Sequence, residues 1–146
     1  MHTSKKGQKT IFAKGVVGCN VSFAATPFTS DSVNFYDASA TDYSIVAYDG
    51  KANPRMVYIR MNKKITPGTY DFKINPENPE VFAYYYHAHE NFGWYYHAEE
   101  GKFVLKSVDF EKLEIDATFA FTSTNTPDEQ PMAVQNGVLT ITGPSA

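Results

Sequence analysis

The sequence predicts an all-β fold: an antiparallel β-sandwich, or a flattened barrel, of about eight or nine strands. The first observation is composition, since phenylalanine (11) and tyrosine (10) abound whereas leucine occurs only at Leu105, Leu113 and Leu139. Aromatic and β-branched residues favour strands, while helical domains are rich in leucine. The second is spacing, because short apolar runs alternate with clusters of Gly, Pro, Asn and Asp, without any heptad or longer repeat.

Length and charge indicate one domain over residues 1–146 that has no nucleic-acid partner. A chain of 146 residues, 42% hydrophobic and 20% charged, has the balance of an ordinary globular domain. Its net charge is −3, whereas a nucleic-acid binder concentrates basic residues on one face. The basic cluster Lys5, Lys6, Lys9 and Lys14 is close to the N-terminus. Residues 1–9 are expected to form a flexible N-terminal segment.

The N-terminal region contains no convincing signal peptide. Val16-Val17-Gly18-Cys19 behind several lysines resembles a lipoprotein cleavage site, but Lys14 interrupts the apolar stretch. No run reaches the 18 or so apolar residues of a membrane span, so none is predicted. The expected location is cytoplasmic, or outside the cell by a signal-independent route. Cys19, the single cysteine, is expected to be a small buried residue in the first strand.

The strands can be placed from apolar runs and turn residues. In the first half they are predicted near residues 11–17, 21–24, 43–48 and 56–61, with a short strand around 33–36. Strands at 70–74, 113–122 and 137–142 follow, and the chain after residue 80 is predicted to be a meander. The alternation is clearest in 113–122, which predicts one buried and one solvated face. The predicted buried residues there are Leu113, Ile115, Ala117, Phe119 and Phe121.

Three of the four histidines lie in the segment 81–100, which is predicted to be a hairpin. A three-residue loop, Asn91-Phe92-Gly93, would pair His87 with His97. The core face would then hold Tyr84, Tyr86, Ala88, Trp94, Tyr96 and Ala98. The solvated face would hold Ala83, Tyr85, His87, His89, Tyr95, His97 and Glu99. A two-residue loop at Glu100-Gly101 would continue the meander.

This register defines two candidate sites on the solvated face. Tyr85, His87, Tyr95 and His97 form a candidate ligand-binding surface, on which tyrosine rings could stack against a flat ligand such as a sugar ring. His87, His89, His97 and Glu99 form a candidate metal site, because imidazole and carboxylate are zinc ligands and directly paired Cβ atoms lie about 5 Å apart. The spacing matches no established zinc motif, so histidines that simply pack or face solvent are the favoured interpretation.

No catalytic motif is present in the sequence. There is no glycine-rich phosphate loop, no G-x-S-x-G, no H-E-x-x-H and no CxxC. We therefore expect a non-enzymatic binding or assembly module without a cofactor. Its ligand and partner are unknown, and the candidates are a protein or a carbohydrate surface. Two alternatives stay open: a structural subunit of a homo-oligomer, and a metal-dependent enzyme or metal-binding protein that uses His87, His89 and His97.

Four segments of the C-terminal half follow one another in a characteristic order: Pro67–Tyr70, Gly101–Leu105, Leu113–Thr122 and Val134–Ile141. In this order the C-terminal half resembles a group of small bacterial domains of unknown function that are often attached to lipoproteins. The resemblance covers roughly the last half of the chain. It implies a β-sandwich with no known activity and carries over no functional residues. This sequence departs from that group in lacking a convincing signal peptide.

Overall fold

The computed structural model describes residues 10–50, 54–74, 77 and 79–145, and these form strands and turns but no helix. The all-β prediction is confirmed, although the described residues form eleven strands instead of eight or nine. The segment 1–9, predicted to be flexible, lies outside the described residues. Within the described part of the chain, no helix is long and apolar enough to cross a membrane. The strands are β1 (Thr10–Val21), β2 (Phe28–Thr29), β3 (Ser32–Asp37), β4 (Asp42–Asp49), β5 (Arg55–Asn62), β6 (Gly68–Lys73), β7 (Val81–Ala88), β8 (Gly93–His97), β9 (Glu100–Asp109), β10 (Glu114–Ser123) and β11 (Met132–Pro144).

All strands belong to one antiparallel sheet that curls into a half-barrel. Their order is β6-β9-β10-β11-β1-β3-β4-β5-β7-β8, and β2 pairs with β1 beside this path. The long strand β1 joins the two halves of the sheet. Its first residues pair with β3, from Thr10↔Tyr36 to Ala13↔Val33. Its remaining residues pair with β11.

One strand, β1, replaces the two strands predicted at 11–17 and 21–24. Its pairing with β11 shifts register between Lys14 and Gly15 and again between Gly18 and Asn20. Such bulges bend a strand without ending it. The strand therefore follows the curl of the sheet while it stays paired with β11.

The inner face of the curl is the hydrophobic core. Buried side chains include Val17, Ile59, Phe103 and Leu139, and Cys19 is buried in β1 as predicted. Burial raises the pKa of the Cys19 thiol to about 12, so the group is neutral and serves packing. The prediction for β10 is also confirmed at residue level. Its inward residues are buried, and Glu114, Ala120 and Thr122 on the other face are exposed.

Strand β11 begins five residues earlier than the predicted strand at 137–142. Asn136 adopts a positive φ of 55°, and the pairing with β10 shifts register between Phe119 and Phe121. The pair Asn136-Gly137 is thus a bulge inside the strand and not a turn before it. Gly137 is required there, because a Cβ at this position would lie 2.5 Å from the Phe119 ring.

The predicted meander between β8 and β9 is wrong. β8 pairs with β7, and β9 pairs with β6 and β10. The two linking residues cross from one end of the sheet to the other: the amide of Ala98 donates to Ala83 O at 2.9 Å and that of Glu99 donates to Thr122 O at 3.0 Å. Gly101, expected in a turn, lies in β9, where a Cβ would come within 2.1 Å of Ala120 O. The absence of a side chain at Gly101 permits the close approach of β9 and β10.

The two faces of β10 predict different costs of truncation. Phe119→Ala should lower the free energy of unfolding by about 3–5 kcal/mol, because transfer energy is lost and a cavity remains. Glu114→Ala, on the exposed face, should change it by less than about 0.5 kcal/mol. Urea denaturation of both variants measures these changes. Equal losses would show that the outer face of β10 is covered as well.

Candidate functional site

The hairpin of β7 and β8 has a different register from the one predicted. Tyr84 pairs with His97, Tyr85 with Tyr96, and His87 with Trp94. The predicted pairing of His87 with His97 is therefore wrong. The loop between the paired residues Ala88 and Gly93 has four residues, 89–92, and the His89 amide donates to Phe92 O across it at 2.7 Å.

Gly93 lies in a strand and not in the turn that the sequence predicts. It was expected to end the turn, where glycine tolerates a left-handed backbone. In the structure Gly93 is the first residue of β8, and a Cβ there would lie 1.9 Å from the Tyr86 hydroxyl oxygen. The glycine therefore serves a close approach by the side chain of Tyr86. The observed pairing is displaced from the predicted one by three residues, since His87 pairs with Trp94 and not with His97. A displacement by an odd number of residues inverts the faces of β7 relative to those of β8.

The four predicted ligand-binding residues are divided between the two faces. Tyr85 is fully buried on the inner face, and His87 lies half-buried beside it. Tyr95 and His97 are exposed on the outer face, together with the half-buried Tyr84 and Tyr86 that were predicted to be core residues. The prediction assigned the faces of β8 correctly and inverted those of β7.

The predicted metal-binding set is not brought together. The rings of His87 and His89 are neighbours, with centroids 4.6 Å apart, but His97 lies on the opposite face. In the part of the chain that the structure describes, no three or more His, Cys, Asp or Glu side chains are grouped so as to hold a metal ion.

Glu99 has a structural role at the crossing between β8 and β9. Its carboxylate accepts hydrogen bonds from Thr124 N at 2.9 Å, Thr124 Oγ1 at 2.7 Å and Asn125 N at 3.3 Å. Burial acts to raise the pKa of this carboxyl, but these hydrogen bonds outweigh burial and hold it below its usual value. The ionised carboxylate thus fastens the crossing to the end of β10.

Two tyrosine–histidine hydrogen bonds organise the inner side of the hairpin. The Tyr85 hydroxyl lies 2.7 Å from His87 Nδ1, and the Tyr96 hydroxyl lies 2.8 Å from His89 Nε2. Burial raises the pKa of Tyr85. Burial, followed by the influence of His89 and Arg55, lowers the pKa of His87 to about 4. Tyr85 and His87 are therefore both neutral at pH 7.

Arg55 anchors the segment that follows β1 beside these residues. It forms an ion pair with Asp49, and it donates to Thr26 O at 3.0 Å and to Pro27 O at 2.9 Å. Its charge is therefore already compensated, and its donors are directed to Asp49 and to the backbone. The consequence is a fixed position for the chain between β1 and β2, which carries Phe23.

Phe23 and Phe92 are large aromatic residues that remain exposed next to the hairpin. Phe23 is 44% exposed, although its ring centroid lies 4.9 Å from that of His87 and 5.3 Å from that of Tyr96. Phe92 is 49% exposed and stacks on His89 with a centroid distance of 4.9 Å. The two phenylalanines thus flank His89 on the surface.

These rings line a cleft of about 580 Å³, which we call the aromatic cleft. Its lining includes Phe23, His89, Phe92 and Tyr96 together with residues of the segment 126–132. A second cleft of about 470 Å³ lies on the other side of Phe23 and is lined in part by Asp49, Arg55 and His87. Phe23 therefore separates the two. The volume of the aromatic cleft is within the range of small-molecule sites.

The outer face carries a second group of aromatic residues whose rings pack against one another. Tyr58 and Tyr84 stack with centroids 4.7 Å apart, and Tyr95 meets Tyr84 edge-on at 5.1 Å. Burial, with a smaller effect of Tyr95, raises the pKa of Tyr84 to about 12. Because Tyr58 and Tyr84 cover one another's ring faces, they offer little flat surface for a sugar ring.

Sequence reasoning missed Phe23, Phe92 and the segment 126–132 as parts of a site. Phe23 was placed in a predicted strand and Phe92 in a turn. The one available signal was Phe92 itself, because a large apolar residue at a hairpin turn is exposed unless another segment covers it.

Comparison with protein-family models, curated proteins and solved structures finds no match. The resemblance of the C-terminal half to small bacterial domains therefore stays a prediction.

The low pKa of His87 predicts an acid-sensitive component of stability. In the unfolded chain histidine titrates near 6.5, so as the pH falls below that value the unfolded state takes up a proton before the native state does. This component is complete above about pH 6.5 and is lost progressively towards pH 4. Urea denaturation at pH 7.5 and pH 5.0 should show a smaller decline for His87→Gln than for the wild type. Identical declines would contradict the burial of a neutral His87.

Proposed function

We propose that this protein is a non-enzymatic binding module that takes a small ligand into the aromatic cleft. The observation that supports the proposal most is the exposure of Phe23 and Phe92, each nearly half open to solvent at the entrance of a concave site. Exposed apolar surface that lines a cleft is a common property of ligand-binding sites. The proposal retains the binding module predicted from the sequence. It places the binding surface on the inner side of the hairpin and not at Tyr95 and His97 on the outer face.

The polar groups of the hairpin favour binding over catalysis. His89 Nε2 and the Tyr96 hydroxyl are hydrogen-bonded to one another, as are His87 and Tyr85. Each of these groups therefore fixes the position of a ring. What the cleft offers a ligand is a set of oriented aromatic surfaces.

The apolar contribution alone supports only weak binding. A ligand that covers the open parts of both phenylalanines buries on the order of 150 Å² of aromatic surface, which contributes about 4 kcal/mol. The loss of translational and rotational freedom costs about 4 kcal/mol or more. A ligand of useful affinity must therefore also satisfy a polar or charged group of the cleft.

A fragment screen by protein NMR tests the proposal. Fragments, including monosaccharides and disaccharides, should perturb the signals of Phe23, His89, Phe92 and Tyr96. Phe23→Ser and Phe92→Ser should weaken binding by about tenfold or more, because each removes ring surface from the ligand.

Tyr95→Ser is the matched control, since Tyr95 is as exposed as Phe92 but lies on the outer face. It should change affinity by less than about twofold. Binders that map to Tyr95 and are indifferent to Phe23 would contradict the proposal, and so would a screen without binders in the cleft.

A further inference from the structure

The charged side chain that lines the aromatic cleft is negative. Asp128 is the only carboxylate among the described residues that line it, and no lysine or arginine is among them. Glu129, the next residue along the chain, is exposed and places a second carboxylate in the same turn. A ligand that enters the cleft therefore meets negative charge without a compensating cationic side chain.

Asp128 is held in place by its own turn. Its Oδ1 accepts a hydrogen bond from Gln130 N at 3.1 Å and lies 3.2 Å from Thr126 Oγ1. Thr126 is buried, and its hydroxyl also lies 2.8 Å from Gln130 O. The carboxylate is thus positioned before any ligand arrives, which reduces the ordering cost of binding.

The rings opposite Asp128 also favour positive charge. The faces of phenylalanine and tyrosine attract cations, and the attraction strengthens where water is excluded. Asp128 and Tyr96 are close enough for the carboxylate to add to the effect of burial in raising the pKa of Tyr96. The negative charge and the ring faces therefore act on the same part of the cleft.

We infer that the ligand of the aromatic cleft is an organic cation, namely an ammonium group that carries methyl or other apolar substituents. The inference rests on the proposed function, because it specifies the ligand of that same site. In the bound state the positive charge lies between the exposed rings of Phe23 and Phe92 and the Asp128 carboxylate.

The remaining walls indicate why the ammonium is substituted. Pro127, Pro131 and Met132 line the cleft with apolar side chains, beside the polar residues Ser22, Thr126 and Gln130. A primary ammonium has three N–H donors that lose water on entry, and donors left without a partner are costly. A quaternary ammonium has no N–H donor, so it gains the charge interaction without leaving hydrogen bonds unmade.

Choline and its neutral isostere 3,3-dimethylbutan-1-ol test this inference, because they differ in charge but hardly in shape. Titrations followed by NMR should show choline binding in the cleft at least about fivefold more tightly than the alcohol. Asp128→Asn should remove most of this preference and leave the affinity for the alcohol unchanged. Added salt should weaken the binding of choline more than that of the alcohol.

Glu114→Gln is the control for net charge, since it removes one negative charge from an exposed position on the outer face of β10. It should leave the preference for choline intact. Phe23→Ser should weaken both ligands, since it removes surface that either can contact.

The outcomes separate the inference from the proposed function. Equal or tighter binding of the alcohol would overturn the cationic ligand, while the cleft would still be a binding site. A preference for choline that survives Asp128→Asn would also overturn it. Absence of binding by both would overturn it as well, and the proposed function would fail only if the fragment screen were also empty.

Discussion

The pairing of Tyr85 with Tyr96 across β7 and β8 decides where every aromatic and histidine side chain of the hairpin lies. It places both tyrosines on the inner face, where Tyr85 is fully buried and its hydroxyl meets His87. A buried hydroxyl without a partner would be costly, so the tyrosine and the histidine stabilise one another's position. His89 follows in the loop and is fixed in the same way by Tyr96. The aromatic cleft exists because these two pairs point towards the same side of the sheet.

The curl of the sheet supplies the other parts of the cleft. The amide of Ser22 donates to Ala133 O at 2.9 Å, and the amide of Ala133 donates to Ser22 Oγ at 3.0 Å. The end of β1 and the beginning of β11 are thereby fastened together. Phe23 and the segment 126–132 consequently reach the hairpin from different parts of the chain, and a change in the bend of β1 would move both.

The parts of the fold that depend on local pattern could be predicted from the sequence. Alternation alone identified the buried face of β10, and the small apolar character of Cys19 indicated a buried place in β1. The register of β7 and β8 could not be predicted in this way. The local sequence is compatible both with a three-residue turn at Asn91-Phe92-Gly93 and with a longer loop after which Gly93 begins a strand. In the structure Gly93 lies against the Tyr86 side chain of the neighbouring strand, a contact that no local pattern reports. Gly101 is a similar case, because a side chain at this position would collide with the carbonyl of Ala120 on a neighbouring strand. The cleft joins three segments that are distant in sequence, so no local pattern could indicate it.

The register of the hairpin is the claim on which the site depends, and it can be measured without a ligand. Backbone nuclear Overhauser effects in isotopically labelled protein report which residues face one another across antiparallel strands. The structure predicts contacts of Tyr84 with His97 and of Tyr86 with Tyr95. Contacts between His87 and His97 instead would place Tyr85, His87 and His97 together on the outer face. That result would contradict the arrangement of side chains that forms the aromatic cleft.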